Sequence, residues 1–180
     1  MQQAPKPIVP EDNISLRLTN YNDIFSSFDP RPYSERSLSV DFLAEAKRAS
    51  VDKPSGRIEL RIMVPQSARK PEDEKVIARR LRAHFERHRK IIAERHRKTV
   101  NMGIKFTLSG VAMMFLAAFL LFEFMESSLL LNFLVILFEP AGWFLFWEGL
   151  DQVVFESKKI GPELNFYSRM AKSSINFMSC

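Results

Sequence analysis

Few residues in this chain could do chemistry, and the one in the least expected place is Glu139. It lies in Leu137-Phe-Glu-Pro140, inside an apolar run from Leu129 to Trp147. A carboxylate at that depth of a bilayer costs several kcal/mol unless it is protonated, paired or facing water. Pro140 cannot donate to the helical ladder, so a carbonyl near Ile136 is freed and a kink is expected, while Gly142 permits close helix approach. Two chemistries fit. One is a polar intramembrane site for protons, ions or subunit contact; the plainer and preferred one is a carboxyl that bonds the loosened backbone or a neighbouring helix.

Other reactive side chains are sparse. Lys105 enters the first apolar run, Phe106 to Phe122, at a depth matching Glu148 and Asp151 at the end of the second. The spacing predicts an interfacial pairing of Lys105 with Glu148 or Asp151, within a hairpin or between subunits, set against snorkelling of the lysine to phosphate. His84 and His88 share a helix face, with His96 further along, but no third ligand is supplied and Arg87 and Arg89 repel a cation, so no metal site is expected. No glycine-rich phosphate loop, zinc-type Cys/His spacing or nucleophile elbow occurs, and there are six glycines in 180 residues. Catalytic residues, cofactors and an enzymatic activity are not expected.

The elements that position these residues follow from hydropathy and charge. The two apolar runs are separated by six residues and hold 17 and 19 residues, close to the roughly 20 that cross a bilayer. Between Lys75 and Lys98 stand ten Lys/Arg against Glu86 and Glu94, whereas the connector Glu123-Phe-Met-Glu-Ser-Ser128 carries two acids and no base. The positive-inside rule places both termini in the cytoplasm and the connector outside. Anionic lipid head groups are the expected partners of Arg95, Arg97, Lys98, Trp147, Lys158 and Lys159. The net charge of +5 is thus concentrated ahead of the membrane. The single cysteine, Cys180, excludes an internal disulfide and suits a reducing compartment.

Ahead of the hairpin, Ile14 to Leu18 and Arg57 to Val64 alternate apolar and polar residues as half-buried strands do. Between them Asp29-Pro-Arg-Pro32 reads as a loop, and Ser37 or Ser39 can cap a helix carrying Phe42, Leu43 and Ala46. Pro71-Glu-Asp-Glu74 favours a helix start. From there Ile77, Leu81, Phe85, His88 and Ile92 recur at three-or-four spacing, in a helix expected to run into the first span. The expected fold is an α+β membrane protein: flexible Pro-containing leader 1–13, cytoplasmic strand-helix-strand domain 14–71, basic helix 72–101, transmembrane helix 102–124, external loop 125–128, transmembrane helix 129–155 and cytoplasmic tail 156–180. Two strands make a marginal sheet. The strand bearing Ile58, Leu60 and Ile62 is therefore expected to be completed by another copy of the chain.

The segment Asp23-Ile-Phe-Ser-Ser-Phe-Asp-Pro-Arg-Pro-Tyr-Ser-Glu-Arg-Ser-Leu38, the strand ending at Val64-Pro65, the helix Arg82-Ala-His-Phe-Glu-Arg-His88 and the stretch Trp143 to Asp151 together resemble an uncharacterised family of small two-span bacterial inner-membrane proteins, over residues 20 to 170. Where that family has Trp-Arg-Pro and Tyr-Asp-Trp-Trp elements, this chain has Glu139-Pro140 and Gly149 to Gln152. The resemblance implies a bacterial inner membrane and a two-span topology, and no activity. The expected function is a non-enzymatic membrane protein that self-assembles into a homo-oligomeric complex or scaffold, a ring or patch. The alternatives are a subunit of a channel or transporter using Glu139, and a membrane tether for an anionic partner. Nucleic acid is disfavoured, because the basic helix abuts the bilayer and has no interleaved aromatics beyond Phe85.

Overall fold

The computed structural model describes residues 13–51, 53, 58–124 and 129–179. Its elements are β1 (Asn13–Arg17), α1 (Val40–Val51), β2 (Glu59–Val64), α2 (Pro71–Phe124), α3 (Leu129–Asp151), α4 (Ser157–Ala171) and β3 (Ser174–Ser179). A short 3-10 helix at Tyr21–Ile24 follows β1, and one π-helical turn, Gln152–Glu156, joins α3 to α4. The protein is mostly helical, with a small sheet and two long apolar helices. It divides into two compact units, Met1–Lys90 with Asn165–Cys180, and Ile91–Leu164.

In the first unit three strands pair in the order β1-β2-β3, all parallel. Parallel neighbours need a crossover between them. The first crossover is α1; the second consists of α2, α3 and α4, so the entire apolar hairpin is inserted in the connection between two adjacent strands. Register fixes which side chains meet. Ile14, Leu60 and Ile175 form one row, and Leu16, Ile62 and Phe177 the next. Their face joins Phe42 and Ala46 of α1, Ile77, Leu81 and Phe85 of α2, and Phe166 and Met170 of α4 in one core. The opposite face is polar. There Arg61 bonds Glu59 at 2.7 Å, and the Asn176 amide reaches the same carboxylate across the strands at 2.6 Å.

Two expectations are corrected here. Ile58, Leu60 and Ile62 are not a surface awaiting another copy: all three are buried within the chain, and β2 is the central strand with both edges occupied. The third strand comes from the stretch taken as a cytoplasmic tail, residues 156–180. There Ser-Ile-Asn-Phe-Met-Ser alternates as β1 and β2 do, with Ile175 and Phe177 toward the core. The leader 1–12, the loop 125–128 and Cys180 lie outside the described residues.

Polar contacts fasten the layers. Glu74, in the first turn of α2, takes a bidentate pair from Arg69 at 2.9 and 3.0 Å and a 2.8 Å bond from the Tyr21 hydroxyl. Arg69 holds the Glu74 carboxyl below the usual glutamate range. The same guanidinium reaches the Phe177 carbonyl of β3 at 3.3 Å. Arg169 of α4 donates to the carbonyls of Ser50 and Lys53 at the end of α1, satisfying acceptors that a helix C-terminus leaves without partners. Arg80, one of the ten basic residues ahead of the first apolar run, donates to the carbonyls of Glu35 and Arg36. Part of that positive charge is therefore structural.

Candidate functional site

Residues 91–164 contain the remaining candidates. The second half of α2 and the start of α3 are each apolar and long enough to cross a membrane, and only 11% and 6% of their most apolar stretches are buried within the chain. A helix at the core of a soluble protein would be mostly covered. Side chains such as Leu108, Phe115, Phe122, Leu130, Ile136 and Phe144 face outward, which hydrocarbon tolerates and water does not.

Four glycines set the contact between these helices. A Cβ on Gly110 would lie 2.5 Å from the Phe146 nitrogen and 2.6 Å from the Gly142 oxygen; one on Gly149 would lie 2.6 Å from the Gly103 oxygen. Gly110 thus faces Gly142, and Gly103 faces Gly149, in an antiparallel pair with the glycines seven positions apart on each helix. In lipid, where apolar side chains gain nothing by leaving the solvent, such backbone approach is a main source of helix association. Gly142 was legible as a residue that permits close helix approach; Gly103, Gly110 and Gly149 were not read as its partners. The signal was their matched heptad spacing.

Those contacts also settle the expected pairing of Lys105. Gly103 and Thr107 touch α3, and a residue two positions beyond Gly103 is turned roughly 200° around the helix. Lys105 is exposed and, among the described residues, makes no ion pair with Glu148 or Asp151. Matching position along the two helices does not fix azimuth. Within the hairpin the pairing is therefore corrected: Glu148 instead accepts a 3.1 Å bond from the Gln152 amide.

Glu139 is exposed on the surface of the hairpin, one position before Pro140, and α3 continues through the proline without a break. No hydrogen bond or ion pair engages its carboxyl among the described residues. It borders a small hollow of about 230 Å³ with Met114, Ala117, Ala118, Leu121, Val135 and Trp143. The Trp143 and Trp147 rings stack at 6.0 Å between centroids.

Nearer the chain's charged segments a cleft of about 860 Å³ opens between α2 and the α3–α4 junction. From α2 it is lined by Glu94, Arg95 and Lys98; from the other side come Glu148, Asp151, Gln152, Glu156, Lys159 and Glu163. Lys98 pairs with Glu94 at 2.7 Å, and Lys159 with Glu156. Lys98 lowers the Glu94 carboxyl from its usual range, and Glu156 raises the Lys159 ammonium. Of the residues expected at lipid head groups, Arg95, Lys98 and Lys159 line this cleft. Arg97 and Lys158 are exposed outside it, and Trp147 lines an adjoining apolar groove with Phe144, Leu150, Val154 and Phe155.

His84 and His88 stack at 4.0 Å, with Tyr167 stacked on His88 at 5.3 Å. Burial pushes the His84 imidazole down to about 4, helped by His88, Arg80 and Arg87, and its buried Nε2 has no hydrogen-bond partner. Among the described residues, no three His, Cys, Asp or Glu gather as a metal site.

Comparisons of the chain with protein-family models, with curated proteins and with solved structures find no match.

Proposed function

We propose that this is a non-enzymatic integral membrane protein whose copies associate side by side through the hairpin, forming a homo-oligomeric scaffold. The supporting observation is Glu139: a carboxyl exposed midway along a predominantly apolar helix, with no hydrogen bond or ion pair among the described residues. A neutral carboxyl facing hydrocarbon still leaves a donor and acceptors unsatisfied, at a cost of several kcal/mol. A second copy seated over the hollow beside Ala118 and Val135 removes that cost. The chain completes its own sheet, so copies would meet through the apolar helices instead of the strands.

Charge asymmetry supports cytoplasmic termini with the connector outside, and the resemblance to small two-span proteins supports a bacterial inner membrane. Particle mass after extraction into nanodiscs tests the assembly: more than one copy is expected, and a single copy per disc contradicts it. A pore subunit that handles ions at Glu139 would use the same residue, with cation or proton flux in reconstituted vesicles as its signature.

A further inference from the structure

Arg95, Lys98 and Lys159, three of the residues expected at lipid head groups, line a cleft between α2 and the α3–α4 junction in which carboxylates outnumber the basic groups. Once Lys98 is matched to Glu94 and Lys159 to Glu156, Arg95 remains against Glu148, Asp151 and Glu163. Among the described residues that line the cleft, an anion would meet the Arg95 guanidinium and three carboxylates.

The second observation is continuity. The apolar groove of about 410 Å³ along Phe144, Trp147, Leu150, Val154 and Phe155 is also lined by Glu148 and Asp151. These two carboxylates thus stand where a charged cavity and an apolar one meet. A molecule occupying both would be an amphiphile with a cation at the junction, an anion reaching Arg95, and a hydrocarbon chain beside the aromatic residues. We infer that this is a binding site for a zwitterionic phospholipid with a primary ammonium head group. The ammonium lies against Glu148 and Asp151, the phosphate against Arg95, and an acyl chain along the groove. A primary ammonium donates N–H bonds to both carboxylates, which a trimethylammonium cannot do. The π-helical turn Gln152–Glu156 begins at this junction and places Gln152 and Glu156 on the cleft lining together with Asp151. Such turns are frequent at functional positions.

The inference rests on the hairpin lying in a bilayer and is independent of self-assembly; flotation of the reconstituted vesicles checks insertion separately. The test is native mass spectrometry of the full chain released from vesicles containing equal parts of phosphatidylethanolamine, phosphatidylcholine and phosphatidylglycerol with matched chains. Ethanolamine-lipid adducts are expected to exceed either of the others roughly fivefold, the factor equivalent to about 1 kcal/mol for an exposed ion pair. Asp151→Asn, at an exposed position, keeps the fold and lowers that preference; Glu148→Gln with Asp151→Asn removes it. Arg95→Gln reduces all three adducts together. Equal adducts in the unaltered chain, an excess of the glycerol lipid, or an undiminished preference in Asp151→Asn would overturn the assignment.

Discussion

Substitution of Gly110 by alanine probes the hairpin contact most sharply. The new methyl would sit 2.5 Å from the Phe146 nitrogen and 2.6 Å from the Gly142 oxygen. That is roughly 0.9 Å inside the 3.4 Å at which ordinary contact begins. Both obstacles are backbone, so no side chain can swing aside and the helices must separate. Overpacking of this kind costs about 1–3 kcal/mol, offset by about 1 kcal/mol from the better helix propensity of alanine. A net loss of up to about 2 kcal/mol is expected. Gly142→Ala should cost less, because its nearest neighbour is the flexible Met114 side chain at 2.6 Å. Gly161 is the control: an added Cβ there meets nothing within 4 Å, and the propensity gain is opposed only by the restriction preceding Pro162. Reversible unfolding in mixed micelles, followed by Trp143 and Trp147 fluorescence, measures all three. Equal stability of Gly110→Ala and Gly161→Ala would refute backbone-to-backbone packing of α2 on α3.

Three further outcomes follow from the first unit. Leu60→Ala should cost about 2–5 kcal/mol and Leu60→Lys should unfold the sheet, read as protease sensitivity with membrane insertion intact, whereas a subunit-contact role would leave the fold untouched. Deleting Ser174–Cys180 should expose β2 and render the same domain sensitive to protease; a free tail would be removable without effect. Thermal stability should fall with acidification from pH 6.5 to about 4. Over that window the unfolded chain protonates His84 and the folded chain, with its depressed value, resists. Below the ordinary glutamate value of 4.5, protonation of Glu74 removes a second contribution. His84→Phe should flatten the first part of that slope and Glu74→Gln the second.

The legible parts of this fold were those governed by local period. Alternation marked β1 and β2, three-or-four spacing marked the buried face of α2 through Ile77, Leu81 and Phe85, and unbroken apolar length marked the two long apolar helices. What escaped was non-local. Leu60 pairs with Ile175 across more than a hundred residues, and no window around Ser174–Ser179 reveals a partner that far away. Pro162 in addition disfavours a helix leading into that strand, yet α4 contains it. At the site, depth was readable and direction was not. Glu139 and the charged residues at the ends of the apolar runs stood out by position, but only the rotation of α2 fixed by Gly103 and Gly110 separates Lys105 from Glu148. The net acidity of the cleft likewise depends on which face of a basic helix turns inward.

Particle mass across the Glu139 variants, in nanodiscs of one composition, addresses the proposed assembly most directly. If Glu139 bonds a neighbouring copy, Glu139→Gln keeps the hydrogen-bonding capacity and the copy number, while Glu139→Leu shifts the population toward single copies by about 1 kcal/mol per lost contact. An unchanged mass distribution in Glu139→Leu, or single copies in the unaltered chain, would contradict the account.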